Sequence, residues 1–301
     1  MATNSFVNPS DLFDASRNVI GALLRTKAEF FEQVQGAPES LDSECSVLVP
    51  SCDAYSDLWM PFFDLFWRYW PDCPFPVFLG TNRETFAHPR VTILHNERDT
   101  DWSNQVRAEL AALGTPYVLL MLEDFFLRRP VNTQDILACL EALQKQDGHM
   151  IRLVTRPKPD VPVPSCPLIG AIIPGAPYRV SAQAAIWRRE TLLNLMRPSE
   201  SIWQFEMDGS RRSDKVLTGF FAVWRSALPY DHHVVERGKW FRHEASRFGR
   251  MNIGCDFTRR PIMTPGEMLR WYATKLKGIL LELLPWQQRL RLVRWIKSLA
   301  R

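Results

Sequence analysis

The sequence predicts an α/β protein with a mainly parallel central sheet flanked by helices and a helical C-terminal extension. Short apolar runs alternate with amphipathic segments over the first 154 residues, which is the chain order of a parallel sheet with crossover helices. The apolar runs are continuous and do not alternate polar with apolar residues, as expected for strands covered on both faces. Polar residues directly follow three of these runs, where such sheets bind ligands.

Each element of the first half follows from its residue pattern. Continuous apolar runs predict strands, and apolar residues recurring every three or four positions predict helices. We expect, in order, a helix at 10–34, a strand at 46–49, an aromatic helix at 57–71, strands at 76–82 and 90–96, a helix at 101–114, a strand at 116–124, a helix at 132–148 and a strand at 149–154. Gly114 is the expected C-cap of the third helix, and Asn132 or Thr133 the N-cap of the fourth.

The second half of the chain is less regular. Five prolines between 156 and 167 predict an extended loop or an edge segment. We expect a strand that turns into a helix at 178–196, a loop or short helix at 201–213 and a further strand within 215–230. The expected domains are an N-terminal helix at 1–40, an α/β domain at 41–260 and basic amphipathic helices at 261–301.

Composition limits the class of protein. The 301 residues carry a net charge of +4, which is too modest to indicate a nucleic-acid partner. No apolar run reaches the roughly 18–20 residues that span a bilayer, and the N-terminus lacks the basic-then-apolar order of a secretory signal. Six irregularly spaced cysteines without a CxxC pair indicate reduced thiols in a cytoplasmic protein.

Polar strand ends form the predicted ligand site. Residues 50–53, 81–82 and 123–124 follow the first, second and fourth strands. Because the carboxyl ends of parallel strands meet at one edge of a sheet, three polar ends together indicate a site more strongly than one does.

The acidic pair Glu123–Asp124 has two interpretations. The pair either caps a helix or bonds a loop, or it holds a hard cation such as Mg²⁺ or Mn²⁺ beside a diphosphate. Neighbouring residues of a strand point to opposite faces, so both carboxylates reach one cation only if the strand has already turned. Asp124 lies nearer the loop and is therefore the predicted metal ligand.

Five segments occur in a characteristic order. They are VLVPSCDAYSDLWMPFF, FLGTN, DWSNQVRAELAALGTPYVLLMLEDFFL, SAQAAIWRRETLLNLM and WQFE, and lie within residues 45–245. This order resembles bacterial GT-A-fold glycosyltransferases of the capsule, O-antigen and lipopolysaccharide biosynthesis type. The resemblance implies a GT-A-like (Rossmann-like) sheet and transfer of a sugar from a nucleotide-sugar donor to a surface-glycan or lipid-linked acceptor.

The resemblance also implies which residues bind the donor. The acidic Asp-X-Asp motif of the family falls on 123–125, with Phe125 in the third position. Either Asp124 alone holds a divalent metal (Mn²⁺ or Mg²⁺), or basic residues take the place of the metal. Ordinary turn chemistry remains the alternative for the strand-end residues. The implied donor-binding residues are Pro50, Ser51, Asp53, Tyr55, Thr81, Asn82, Glu123 and Asp124.

The basic segment DHHVVERGKWFRHEASR suits a diphosphate leaving group. Arg237 and Lys239 are the residues expected to neutralise it. His232, His233 and His243 are further candidate metal ligands, for which a satisfied or solvated histidine is the alternative.

The acceptor side is predicted around WQFE. An inverting glycosyl transfer needs a base that takes the proton of the acceptor hydroxyl, and Glu206 is the expected base, with Asp208 as the second candidate. The resemblance places Trp203 and Gln183 at the acceptor, where the ring of Trp203 would stack on a sugar. The alternative is that Trp203 belongs to the core and Glu206 to the surface.

The C-terminal residues predict two helices. Thr264, Pro265 and Glu267 match a capping box that starts a helix running to about Leu284. Pro285 ends this helix, and 286–301 forms a second one with five basic and no acidic residues after Pro285. That helix suits an anionic membrane surface, which would place the protein at the inner face of the membrane, or it packs on its own domain.

Two other functions stay open from the sequence. One is a nucleotide-sugar hydrolase that uses the same strand-end carboxylates. The other is a non-catalytic nucleotide- or glycan-binding protein derived from the same fold.

Overall fold

A computed structural model describes residues 44–96, 101–232, 234–251 and 253–282. These residues divide into two compact units. The first contains 44–54, 72–122 and 131–229 apart from the undescribed gap, and the second contains 55–71, 123–130 and the described part of 230–301. The predicted domain boundaries near 40 and 260 are not boundaries of these units and stay a prediction. The predicted helices at 10–34 and 286–301 lie outside the described residues.

The first unit is built on a nine-stranded sheet within the described residues, in the order β3-β2-β1-β4-β8-β5-β9-β7-β6. Strand β8 pairs antiparallel with β4 and β5, and strand β7 pairs antiparallel with β6 and β9. All the other neighbouring strands of this sheet pair in parallel. Seven strands therefore share one direction, which confirms the predicted α/β class with a mainly parallel sheet. The strands are β1 Cys45–Val49, β2 Val77–Thr81, β3 Thr92–His95, β4 Tyr117–Leu120, β5 Met150–Arg152, β6 Val161–Pro162, β7 Ile169–Ala171, β8 Ala185–Arg188 and β9 Phe220–Val223.

Helices cover this sheet and share its core. Residues from α2, α4 and α5 join strand residues in one buried apolar cluster, as Val106, Leu192 and Phe205 show beside Leu48 and Trp187. The helices of the first unit are α2 Trp102–Ala112, α3 Thr133–Lys145, α4 Arg189–Leu195 and α5 Ile202–Ser213.

The second unit gathers distant segments around an aromatic core. The ring of Phe126 lies 6.3 Å from Phe62, 6.1 Å from Trp240 and 5.1 Å from Phe248. Such ring pairs bury large apolar areas. The elements of this unit are α1 Ser56–Tyr69, β10 Val235–Glu236, β11 Lys239–Trp240, α6 Arg242–Met251 and α7 Pro265–Glu282.

Helix starts follow the sequence closely. Asn132 accepts from Gln134 N–H at the start of α3, as predicted. The capping box of α7 is confirmed as well, because Thr264 Oγ1 accepts from Glu267 N–H and Glu267 Oε2 accepts from Thr264 N–H.

Three predictions about element ends are wrong. The strand expected at 116–124 ends at Leu120, so Glu123 lies in a turn. Helix α2 ends at Ala112, Leu113 is extended, and Gly114 lacks the positive φ of a left-handed cap. Residues 201–213 form a full helix, because Ser201 and Gln204 make a reciprocal capping box.

No helix among the described residues is long and apolar enough to cross a membrane.

Candidate functional site

The loops after β1 and β2 are tied together by Asp53. Its carboxylate accepts from the backbone N–H groups of Asn82 and Arg83, each at 3.1 Å, and of Glu84 at 3.2 Å. In return, the N–H of Asp53 donates to Asn82 Oδ1 at 3.2 Å. The structure thus brings Asp53 and Asn82 together as predicted, but it uses both side chains to hold the two loops. Their nucleotide contacts stay a prediction.

A polar layer from α2 supports the end of β1. The side-chain amide of Gln105 donates to the carbonyl of Ser51 and to Glu109 Oε1, the latter at 2.8 Å. Glu109 is 2% exposed and lies against Gly80 of β2, where a Cβ would come within 1.9 Å of Oε1. Sequence reasoning missed Gln105 and Glu109. A glycine inside a strand was the available signal, because it marks close approach of another group.

The other predicted donor residues of the first unit are interior. Thr81 is fully buried and shares a hydrogen bond with His95 Nδ1 on β3 at 3.0 Å. Pro50 and Ser51 are also buried. Backbone atoms of these residues, rather than their side chains, are therefore the groups suited to contact a ligand.

The acidic turn, Glu123–Asp124, belongs to the second unit. Both residues are partly exposed, yet Asp124 Oδ1 is sealed from solvent and has no hydrogen-bond partner among the described residues. Burial and the Asp124 charge raise the pKa of Glu123 to about 8. Burial and the Glu236 charge raise the pKa of Asp124 to about 7. The turn therefore concentrates carboxylates that lack enough countercharge.

The positive charge of the buried Arg260 acts on this turn. Arg260 binds Asp57 through two hydrogen bonds of 3.0 and 2.9 Å, and its guanidinium lies 4.6 Å from the ring centre of Tyr55. Its charge partly offsets the raised pKa values of Glu123 and Asp124. Tyr55, implied by the resemblance to bind the donor, thus packs its ring against an arginine. The Asp57–Arg260 pair, 203 residues apart, left no signal in the sequence.

Aromatic packing anchors the acidic turn. Phe125 stacks on Tyr230 with ring centres 4.3 Å apart, and Phe126 fills the core of the second unit. Because Phe125 is buried in this stack, the third position of the acidic motif serves as an anchor. The metal ligands of this turn can come only from the two residues before it.

The acidic turn fits a cation that also binds a ligand. No group of three or more His, Cys, Asp or Glu able to hold a metal occurs in the part of the chain that the structure describes. Mg²⁺, however, is usually bound by one or two carboxylates together with phosphate oxygens and waters. Asp124 Oδ1, which has no hydrogen-bond partner within the described ranges, suits that arrangement together with the adjacent Glu123.

Two of the candidate histidines have other contacts, and the role of the histidines as metal ligands stays a prediction. His243 Nε2 lies 3.1 Å from Glu244, and His232 packs on Tyr230 with ring centres 4.5 Å apart. His233 lies outside the described residues.

Glu206 and the loop 181–183 form a cluster in the first unit. Glu206 Oε1 accepts from the N–H of Ala182 at 2.8 Å and from Ser181 Oγ at 3.2 Å. Ser181 Oγ in turn accepts from the N–H of Gln183 at 3.1 Å. The structure therefore brings the predicted base and the predicted acceptor residue Gln183 together.

The neighbouring residues of α5 are at the surface. Trp203 is 72% exposed, so the alternative that it belongs to the core is wrong. Asp208 pairs with Arg211 at 2.6 Å on the exposed side of the helix.

The predicted diphosphate-binding residues lie on the β10–β11 hairpin. Arg237 and Gly238 at its tip have φ values of 50° and 74°. The side chain of Arg237 is 90% exposed, with Nε 3.8 Å from Glu236. Lys239 Nζ lies 2.5 Å from Glu267 Oε1 at the start of α7. Lys239 is thus held by a carboxylate of its own unit, and the leaving-group role of both residues stays a prediction.

Comparison with known proteins finds similarity at the level of structures. No protein-family model and no curated protein matches the sequence. TarS residues 1–349 of S. aureus in complex with UDP is 13% identical, with 62% of this chain and 59% of that chain covered and a TM-score of 0.44. The mannosyltransferase PcManGT from Pyrobaculum calidifontis, in complex with GDP-Man and Mn²⁺, is 13% identical, with 75% and 68% covered and a TM-score of 0.43.

A third similar structure is glucosyl-3-phosphoglycerate synthase from Mycobacterium tuberculosis, at 12% identity, with 75% and 82% covered and a TM-score of 0.39. This chain spans 59% of TarS 1–349 and 36% of another TarS structure. The ligands in these structures are UDP for TarS 1–349, GDP-Man and Mn²⁺ for the mannosyltransferase, and phosphoglyceric acid for the synthase. At TM-scores below 0.5, their activities are not carried over to this chain.

Proposed function

We propose that this protein is a nucleotide-sugar-dependent glycosyltransferase that delivers a sugar to a surface-glycan or lipid-linked acceptor. The observation that carries the proposal is the sealed Oδ1 of Asp124, which lies beside Glu123 and has no hydrogen-bond partner among the described residues. In the chain, Glu123 and Asp124 come three and four residues after the end of the parallel strand β4, and ligands of mainly parallel sheets bind beyond the carboxyl ends of the strands. A carboxylate that lacks a partner in the described part of the chain suits a cation that carries a diphosphate.

The donor would be held by its diphosphate. Asp124, with Glu123, would hold Mn²⁺ or Mg²⁺, which supplies positive charge to the leaving diphosphate when it is bound. Backbone groups of the loops after β1 and β2 would contact the nucleoside, because Asp53 fixes these loops in one conformation. Arg237 is proposed to add charge at the diphosphate, since its guanidinium is exposed and not committed to a short ion pair.

The transfer itself would use Glu206. As the acceptor oxygen attacks the anomeric carbon, its proton passes to the carboxylate of Glu206, and the bond from the anomeric carbon to the diphosphate oxygen breaks. The N–H of Ala182 and the hydroxyl of Ser181 hold that carboxylate in place. The exposed ring of Trp203, one turn before Glu206 on α5, would offer a face for an acceptor sugar. We place the protein in the cytoplasm on this proposal.

Acceptor-dependent turnover of a nucleotide-sugar tests the assignment of the base. Glu206→Gln keeps an oxygen that accepts from Ala182 and Ser181, so the fold should hold while turnover falls by about 100-fold or more. Asp208→Asn, two residues along the same helix, is the matched control and should retain activity. Full activity of Glu206→Gln would remove Glu206 from the mechanism. Donor turnover that no acceptor accelerates would instead indicate a hydrolase.

A further inference from the structure

Helix α7, Pro265–Glu282, carries an exposed apolar stripe. Leu269 is 71% exposed, Tyr272 48% and Leu276 58%. Residues spaced by three and four positions lie along one side of a helix. A single exposed leucine is ordinary, but three large apolar side chains on one line form a surface that is suited to bind something.

Other contacts of α7 prevent the helix from rotating the stripe toward the second unit. Trp271, on another side of α7, packs edge-to-face against the buried Phe241, with ring centres 4.8 Å apart. Glu267 binds Lys239 and closes the capping box with Thr264. These contacts fix the rotation of α7 within the second unit, so that burying the stripe against that unit would break them.

Positive charge is concentrated in the last part of the sequence. Residues 264–301 contain eight basic and two acidic residues, a net charge of +6, whereas the whole chain carries +4. The remainder of the chain is therefore net negative, by two charges. One of the two acids, Glu267, is already paired with Lys239. Three of the eight basic residues belong to α7 and five to 286–301, so most of this charge follows α7 in the chain.

We propose that α7 docks through this stripe on an anionic lipid surface. The boundary of an anionic bilayer receives apolar side chains below its headgroups and attracts basic ones at its surface. The first property matches the exposed stripe of α7, and the second matches the basic residues of 264–301. Binding to lipid is separate from sugar transfer and does not depend on the proposed function.

Two other occupants fit less well. A second copy of the chain would bring together two copies of 264–301, each with a net charge of +6, and would oppose like charges. The chain's own 286–301 segment has five basic and no acidic residues, so packing it on α7 would also oppose like charges.

Vesicle flotation of the full chain tests the proposal. The probes are vesicles of phosphatidylcholine alone and vesicles that also contain phosphatidylglycerol. We expect binding to the anionic vesicles only, weakened by salt. The change Leu269→Ser/Leu276→Ser should lower the affinity by about tenfold or more, because two apolar side chains no longer enter the bilayer. Leu217→Ser, at a position 75% exposed in the first unit, is the matched control and should bind like the wild type.

Three results would overturn the proposal. The first is failure of the wild type to bind anionic vesicles at low salt. The second is equal binding by the wild type and the double variant, with circular dichroism showing that both are folded. The third is a dimer in sedimentation velocity that the double variant loses while its vesicle binding is retained, which would assign the stripe to a second copy.

Discussion

At the scale of single residues, the acidic turn is where stability and function oppose each other. Asp124 keeps an oxygen away from water with no partner among the described residues, which costs free energy in the folded state. Glu123 adds a second carboxylate whose ionisation is resisted by burial and by Asp124. An arrangement that is unfavourable without a ligand is expected where a cation completes it.

The pH dependence of stability follows from these shifts. Because folding raises the pKa of Glu123 to about 8 and that of Asp124 to about 7, the folded chain binds more protons than the unfolded chain at intermediate pH. The free energy of unfolding should therefore fall as the pH rises from about 4 to about 8. Mn²⁺ should restore part of it at pH 8. Urea titrations across this range measure the effect.

A matched pair of variants isolates the contribution of the turn. Asp124→Asn should flatten the pH dependence and raise the free energy of unfolding at pH 8 by about 1 kcal/mol, with loss of the response to Mn²⁺. Asp135→Asn, at an exposed position in the first turn of α3, should keep both the pH dependence and the response. A wild-type response to Mn²⁺ in Asp124→Asn would place the cation elsewhere.

Breaking the buried Asp57–Arg260 ion pair should lower the free energy of unfolding more than breaking an exposed ion pair. The side chains of Asp57 and Arg260 are 3% and 9% exposed, so Asp57→Asn leaves a buried guanidinium without its carboxylate. We expect a loss of about 3 kcal/mol in the free energy of unfolding, measured by urea denaturation. Asp208→Asn, which breaks the exposed pair with Arg211, should cost under about 1 kcal/mol. Equal losses would contradict the burial of the pair.

At the scale of elements, the β10–β11 hairpin holds an unusual residue at its tip. Two successive positive φ values are typical of a type I′ turn, whose first position favours Asn or Gly over Arg. Arg237→Asn should raise the free energy of unfolding by about 0.5–1 kcal/mol, since Asn tolerates this conformation better. If Arg237 serves the diphosphate, the same change lowers the affinity for a nucleoside diphosphate. Higher stability with unchanged affinity would show that Arg237 has no part in binding.

The capping box of α7 makes a separate prediction. Thr264→Ala removes the acceptor for the N–H of Glu267 and should cost about 1 kcal/mol of stability, together with helix signal in circular dichroism. Lys239 and the cap lower the pKa of Glu267 to about 2, so the stabilisation it gives is present above about pH 4.5 and is lost as the pH falls toward 2. Thr85→Ala, at an exposed loop position of the first unit, controls for loss of a threonine.

Most strands and helices of the described residues were predicted from the sequence. Strands β1 to β5 coincide with continuous apolar runs, because parallel strands covered on both faces need no polar alternation. Element ends were harder. The fourth apolar run continues through Met121 and Leu122 after β4 has ended, since a turn that buries apolar residues looks like a strand in sequence. The apolar pattern of 201–213 was too weak to outweigh its polar residues, although Ser201 and Gln204 carried the capping signal.

At the scale of the whole molecule, the two units differ in how far their contacts could be predicted from the sequence. The sheet of the first unit follows from local patterns, and the loops joined by Asp53 and Asn82 were predicted to be neighbours because parallel strands place their ends at one edge. The second unit assembles 55–71, 123–130 and the described part of 230–301, so its contacts are long-range in sequence. Arg260 and the anchoring role of Phe125 were therefore beyond sequence reasoning.

The acidic turn is proposed to bind a divalent metal together with the diphosphate of a nucleotide. The most direct measurement is the thermal unfolding of the full chain with UDP, GDP, CDP, ADP and dTDP, each with and without Mn²⁺. We predict that at least one nucleoside diphosphate raises the Tm by several degrees in the presence of Mn²⁺, as ligand at about 100 times its Kd should. Asp124→Asn should abolish the metal-dependent part, and Asp135→Asn should retain it. No shift with any nucleotide, or an equal shift in Asp124→Asn, would contradict the claim.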